Sequence, residues 1–108
     1  MGYQFAIKLD DMAENTMMRL VLEKQPILLV HYENQIYAIQ DACPHMGASL
    51  AKGTLSKGRV ICPKHKAQID VKTGEILSKA KVLFLKLPTQ DAKVYPVKIE
   101  DGKIFVEV

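Results

Sequence analysis

Turn-forming residues divide this chain into short segments, and no segment between them is long enough to build a helical fold. Dipeptides typical of two-residue hairpins stand at Lys57-Gly58 and Asp101-Gly102, and a polar turn occupies residues 33–35. Between the turns, apolar and polar residues alternate with the period of a β-strand, as in residues 4–9. Strands at short, regular spacing without long helices predict an all-β fold, either a sandwich or a barrel-like base.

The predicted strands share alternation or β-branched residues, and each stops at a turn signal. They are residues 4–9, 16–22, 26–32, 36–40, 54–56, 59–61, 67–70, 75–77, 81–87, 94–99 and 104–108. One helical turn is expected within residues 10–15, where Asp11 and Glu14 stand three apart as in a capping box. No internal repeat or linker interrupts this series, so we expect the 108 residues to form a single domain.

Composition and hydropathy exclude several classes of protein. Hydrophobic residues make up 48% of the chain and charged residues 25%, which is ordinary for a globular domain and excludes disorder and low-complexity scaffolds. The longest aliphatic run, residues 27–30, is far shorter than the roughly 20 apolar residues of a membrane-spanning helix. The N-terminus has no basic stretch followed by a long apolar one, so no export signal is expected. These features predict a cytoplasmic protein.

The two cysteines of the chain each stand beside a histidine. Residues 43–45 read Cys-Pro-His, and residues 62–65 read Cys-Pro-Lys-His. The hairpin predicted at Lys57-Gly58 lies between these two arms, and a hairpin returns its ends to the same place. All four side chains can therefore converge at one tip of the sheet.

Three interpretations of the arms compete. Two buried thiols and two unrelated histidines would leave unexplained why two of the three histidines lie within three residues of the only two cysteines. A structural zinc site suits these ligands, but zinc sites prefer a Cys pair two to four residues apart and a His pair three to five apart. A [2Fe–2S] cluster with two Cys on one iron and two His on the other uses one of each per arm.

The double motif resembles the paired cluster-binding loops of Rieske proteins, C-x-H and C-x-x-H. Within that family it resembles the small soluble, low-potential Rieske-type ferredoxins and related Rieske modules. The likeness extends to the strand pair at residues 27–38, the turn at 70–74 and the closing hairpin at 95–108. It implies one Rieske domain over residues 1–108, with a β-sandwich-like base and a small cluster-binding subdomain of two loops at about residues 41–69.

The resemblance also implies one Rieske [2Fe–2S] cluster and its four ligands. Cys43 and Cys62 would bind the inner iron as thiolates, and His45 and His65 would bind the outer iron. Two thiolates and two neutral imidazoles leave the oxidised site without net charge, so adding an electron costs less than at a site with four thiolates. The third histidine, His31, has no cysteine nearby, and we expect it to be structural or at the surface.

A chain of this family would be a one-electron carrier and not an enzyme, and no catalytic residues are expected. Its partners would be a reductase that supplies the electron and an oxygenase or similar enzyme that receives it. Two alternatives stay open at this point. One is a small Rieske-like subunit of a larger reductase of the nitrite reductase type. The other is a zinc-stabilised binding module with two Cys and two His ligands.

Positive charge is concentrated around the two arms. Residues 42–69 hold five of the fifteen cations and none of the twelve acids, so the rest of the chain is net acidic. The cations are Lys52, Lys57, Arg59, Lys64 and Lys66. They form either a solvated surface or a docking face, including Lys64 and Lys66, for an acidic patch on a redox partner. No basic block is long enough to indicate nucleic acid binding.

Overall fold

Short β-strands make up almost all the regular structure in the computed structural model, which describes residues 2–43, 47–63, 67–78 and 91–108. The strands are β1 (Tyr3–Lys8), β2 (Thr16–Leu22), β3 (Gln25–Tyr32), β4 (Gln35–Gln40), β5 (Thr54–Ser56), β6 (Arg59–Ile61), β7 (Gln68–Asp70), β8 (Ile76–Ser78), β9 (Val94–Tyr95), β10 (Val97–Glu100) and β11 (Lys103–Glu107). Short 3-10 turns lie at Leu9–Asp11 and Leu50–Lys52. The all-β fold class is confirmed. Within the described ranges, no helix has the length and apolar character needed to cross a membrane.

The strands form three antiparallel sheets. Their orders are β1-β11-β10, β2-β3-β4-β9 and β5-β6-β7-β8. The second sheet is central because its β3 strand is buried on both faces. Ile27 and Leu29 pack with Ile104 of the first sheet, whereas Leu28 packs with Val60 of the third. Two cores therefore lie on opposite faces of one sheet, and this double burial explains the uninterrupted apolar run of β3.

Two-residue turns with positive φ connect four of the strand pairs. Such a turn has the twist of a type I′ hairpin and aligns with the right-handed twist of the strands. The pairs are Glu23-Lys24, Glu33-Asn34, Lys57-Gly58 and Asp101-Gly102. The hairpins predicted at Lys57-Gly58 and Asp101-Gly102 are confirmed. The turn predicted over residues 33–35 is one residue shorter, because Gln35 already pairs with Tyr32.

One predicted strand, residues 94–99, is wrong as a single element. Pro96 divides it into β9, which pairs with β4, and β10, which pairs with β11. Proline has no N–H to donate to a ladder, so a strand is readily interrupted there. The Pro96 carbonyl still accepts a hydrogen bond from the Glu107 N–H at 2.9 Å. The strand predicted at residues 81–87 lies outside the described residues.

The turn between β7 and β8 packs tightly against the segment that leads into β9. Gly74 has a φ of +77°, and its carbonyl accepts the Ala92 N–H at 2.8 Å. A β-carbon at Gly74 would clash with the Ala92 carbonyl oxygen. By contrast, Gly102 has a φ of +71° and open space where its β-carbon would lie.

We expect Gly74→Ala to lower the free energy of unfolding by about 1–3 kcal/mol more than Gly102→Ala does, because overpacking adds to backbone strain only at Gly74. Gly102→Ala is the matched control, since it carries the strain of positive φ without the clash. Urea unfolding followed by circular dichroism measures both variants. Equal losses of stability would contradict the close contact between the two segments.

Candidate metal centre

The two cysteines lie in one buried core at the ends of two loops. Cys43 comes three residues after β4 and is 2% exposed, and Cys62 directly follows β6 and is 0% exposed. Both belong to the core on the side of the third sheet, together with Leu50, Val60 and Ile69. The fold therefore brings the sulfur-bearing residue of each arm into the same apolar cluster.

The first arm closes on itself through the main chain. The Cys43 N–H donates to the Ala48 carbonyl at 2.7 Å, and the Gly47 N–H donates to the Cys43 carbonyl at 2.8 Å. Ala42 and Ser49 form an antiparallel bridge outside these bonds. Gly47 has a φ of +73°, a value that favours glycine and turns the chain back. The backbone of this arm thus forms a narrow loop that begins with Cys43.

The second arm is a hairpin loop on paired strands. Ile61 of β6 pairs with Gln68 of β7, and the Cys62 N–H donates to the Ala67 carbonyl at 2.8 Å. This bond extends the ladder by one step into the loop. Cys62 therefore has a fixed main-chain position at the end of the third sheet.

The predicted histidine ligands cannot be compared with the structure. His45 and His65, together with Lys64 and Lys66, lie outside the described residues. Each histidine stands in a three-residue gap between described parts of its arm, at residues 44–46 and 64–66. The geometry of the centre consequently rests on the two cysteines and the ends of the two loops.

The described surroundings of the cysteines fit an iron–sulfur group. Buried thiols are the usual protein ligands of such clusters. The hydroxyl of Ser49, six residues after Cys43, is buried and has no hydrogen-bond partner among the described residues. A buried hydroxyl normally has a partner, so Ser49 leaves an unsatisfied polar group at the end of the loop that begins with Cys43. Ala67 and Ile69 are both buried and apolar, and they offer no side-chain donor.

His31 has a structural role, as expected. Its Nδ1–H donates to the Met12 carbonyl at 2.9 Å, and its Nε2 lies 3.2 Å from Oε1 of Glu14. Glu14 also accepts the Asn34 N–H at 3.0 Å. These contacts attach residues 9–15 to the end of the β3–β4 hairpin and account for both ring nitrogens.

Asp41 is a residue of this region that the sequence analysis did not single out. It is 3% exposed and stands two residues before Cys43. Its carboxylate accepts hydrogen bonds from Arg19 Nε at 3.1 Å and from the Ala51 N–H at 3.0 Å. The sequence shows an acidic residue two positions before Cys43, which could have drawn attention to Asp41. Its partner Arg19 lies 22 residues earlier in the chain, so the sequence does not indicate the ion pair.

Comparisons with known proteins show which family the chain belongs to. The family model described as "Rieske [2Fe-2S] domain" matches residues 2–104. The chain is 33% identical over 103 residues to the ferredoxin component of the naphthalene 1,2-dioxygenase system of Pseudomonas putida, covering 95% of this chain and 92% of that protein.

Two solved structures show the same fold. One chain in the complex of reduced oxygenase and oxidised ferredoxin in carbazole 1,9a-dioxygenase superposes with a TM-score of 0.81 at 28% identity, covering 95% of this chain and 99% of that chain. A putative NADH-dependent nitrite reductase small subunit from Mycobacterium tuberculosis superposes with a TM-score of 0.80 at 18% identity, covering 98% of this chain and 94% of that chain. At that identity the second likeness concerns the fold alone.

Gly53, between the 3-10 turn Leu50–Lys52 and β5, lies tightly against the end of β6. A β-carbon there would clash with the carbonyl oxygen of Ile61, the residue before Cys62. Gly53 has a φ of −89°, which any residue adopts, so its requirement for glycine is purely steric.

We expect Gly53→Ala to lower the free energy of unfolding by about 1–3 kcal/mol, because the added methyl meets the Ile61 carbonyl and pushes the chain away from β6. Thr54→Ala is the control, since Thr54 is exposed and its truncation should change stability by less than about 0.5 kcal/mol. Thermal unfolding followed by circular dichroism compares the two. A Gly53→Ala protein as stable as the wild type would disprove the close approach.

Proposed function

Because the chain belongs to the Rieske [2Fe–2S] family, we propose that it is a one-electron carrier whose cluster is bound by Cys43, His45, Cys62 and His65. The observation that carries this proposal is the burial of both cysteines in one core, at the ends of two loops. We also propose that residues 1–108 form one domain and that residues 41–69 are its cluster-binding subdomain.

The residues of the centre have separate tasks in this proposal. When bound, the cluster supplies reversible one-electron chemistry. Cys43 and Cys62 provide two negative charges from inside the core, where apolar neighbours exclude water. His45 and His65 provide neutral nitrogen donors and so keep the total charge of the site low. The side chains of Ala67 and Ile69 add no hydrogen bonds that would stabilise the reduced state, so we expect a reduction potential toward the low end of the Rieske range.

The relatives define the class of activity. The naphthalene 1,2-dioxygenase relative is a ferredoxin component, which carries electrons and does not transform substrate. By the same reasoning this chain takes electrons from a reductase and passes them to an oxygenase or similar enzyme. The nitrite reductase subunit supports the second candidate, a subunit of a larger reductase, through its fold only. A zinc module is incompatible with the family, whose cofactor is a [2Fe–2S] cluster.

The exposed cations of the third sheet suit a docking face for an acidic patch on the electron-transfer partner. Lys57 and Arg59 line a shallow depression of about 320 Å³ in the third sheet, together with Gln68. Arg59 donates to Gln68 Oε1 at 3.1 Å, which holds the guanidinium beside the strand that follows the second arm. Lys64 and Lys66 add two charges within that arm in sequence. Opposite charges across such a face accelerate association more than they raise affinity.

The cytoplasm is the compartment we propose. Cysteine ligands must be thiolates to bind metal, and thiols stay reduced in the cytoplasm. The ferredoxin components of dioxygenase systems to which the chain is similar support this location.

We expect Cys43→Ser and His65→Ala each to abolish the visible absorption of the cluster, because each removes one of four ligands. Iron and acid-labile sulfide content, together with EPR of the dithionite-reduced protein, measure the loss. His31→Ala is the matched control: it removes the third histidine and two structural contacts but no proposed ligand, so its spectrum should be retained. A normal cluster spectrum in both ligand variants would reject the assignment.

We expect the double variant Lys64→Glu/Lys66→Glu to slow electron transfer to the partner by about tenfold at low ionic strength, with the effect shrinking as salt is added. Stopped-flow mixing of the reduced carrier with the oxidised acceptor measures the rate. Lys8→Glu/Lys103→Glu changes the net charge equally on the β1–β11 pair of the first sheet. Equal slowing by both double variants would show that net charge matters and that no local docking face exists.

A further inference from the structure

Asp41 is the charged side chain that is buried within the described part of the chain. It directly follows β4, and each of its carboxylate oxygens has its own partner. Oδ1 accepts the Ala51 N–H at 3.0 Å, and Oδ2 accepts from Arg19 Nε at 3.1 Å. A buried carboxylate is costly unless it is paired and hydrogen-bonded, so these two bonds are needed to keep it there.

The main chain of Asp41 makes two further ties. Its N–H donates to the Pro26 carbonyl of β3 at 3.1 Å, and its carbonyl accepts the Leu50 N–H at 2.7 Å. Through Arg19 the side chain also reaches β2, an edge strand of the central sheet. One residue therefore connects two strands of the base to both the beginning and the end of the first arm.

The two arms differ in how much support their ends receive. The second arm joins β6 to β7, and these strands pair directly on either side of the loop. The first arm runs from β4 to the 3-10 turn Leu50–Lys52, and among its described residues only the isolated Ala42–Ser49 bridge pairs its two sides as strands. The bonds of Asp41 lie just outside that bridge. These bonds hold the ends of the first arm in place, as the paired strands β6 and β7 do for the second arm.

We propose that Asp41, held by Arg19, is a positioning residue that fixes the first arm and thereby presents Cys43 for cluster binding. The inference rests on the proposed function for the ligand role of Cys43. Arg19 is about half exposed, with 47% of its side-chain surface accessible, whereas the Asp41 side chain is 4% exposed. The guanidinium thus neutralises the carboxylate from the surface, and the carboxylate holds the arm from within.

Three variants separate the bonds. Asp41→Ala removes both side-chain bonds, Asp41→Asn keeps an oxygen that can accept the Ala51 N–H, and Arg19→Met removes only the charge partner. Hydrogen–deuterium exchange of residues 47–52 reports the order of the arm. EPR of the dithionite-reduced holoprotein reports the geometry of its metal ligands.

In Asp41→Ala we expect hydrogen exchange in residues 47–52 to be roughly tenfold or more faster, because the Ala51 N–H loses its charged acceptor and Arg19 loses its ion-pair partner. We also expect the EPR signals to be shifted or broadened. Asp41→Asn should restore most of the protection, and Arg19→Met should lie between Asp41→Ala and the wild type. Asp70→Ala is the matched control. Asp70 accepts the Lys72 N–H at 2.8 Å within the turn after β7, so its loss should leave residues 47–52 and the EPR signals unchanged.

Unchanged exchange and unchanged EPR signals in Asp41→Ala would overturn the proposal. If Asp41→Ala does not fold, Arg19→Met decides in its place, and wild-type exchange and EPR signals in that variant would overturn it equally. A wild-type protein without inorganic sulfide would reject the proposed function instead. The exchange comparison between the variants would still decide whether Asp41 fixes the arm.

Discussion

Burial of β3 and β4 on both faces is the constraint on which the rest of the structure depends. Ile27 and Leu29 point to one core, and Leu28 and Val30 point to the other. Because neighbouring residues of a strand face opposite sides, one strand can be the centre of two cores only if nearly all its residues are apolar. The first and third sheets both pack against the hairpin of β3 and β4, so this hairpin sets the position of each arm.

The two arms reach the same core by different routes. Cys62 follows a paired strand, and its backbone position is a continuation of the β6–β7 ladder. Cys43 follows β4, which pairs with β3 and β9. The two ends of its loop are therefore not joined by a pair of neighbouring strands. Asp41 supplies fixed bonds at that position. A precise site needs support for each ligand, and here a ladder supports one arm while a buried ion pair supports the other.

The elements that could be predicted from the sequence are those with local signals. The hairpins at Lys57-Gly58 and Asp101-Gly102 follow from residue types that accept positive φ, and the short strands between turns follow from alternation. Both cysteines are in one buried cluster, as the hairpin between them indicated. Their role as ligands, and that of His45 and His65, remains a prediction.

Features that depend on contacts between distant segments were not predicted. The bond between Arg19 and Asp41 joins residues 22 apart, and nothing near either residue indicates it. At Pro96 the residue type was visible, yet the change of sheet follows from the pairing of β4 with β9. Packing between elements decides each of these cases, and local propensity does not encode it.

The division into two cores also separates metal binding from the stability of the base. The core between the first and central sheets contains Met12, Tyr95 and aliphatic side chains, and neither cysteine belongs to it. The other core includes Cys43 and Cys62 as packed side chains, so whatever binds their sulfur atoms also holds β5–β8 against the central sheet. If Cys43 and Cys62 bind the cluster as proposed, the free energy of metal binding is coupled to the order of β5–β8, while the base keeps its own apolar core. A carrier built in this way can lose its cluster and still retain the central sheet, from which the first arm extends.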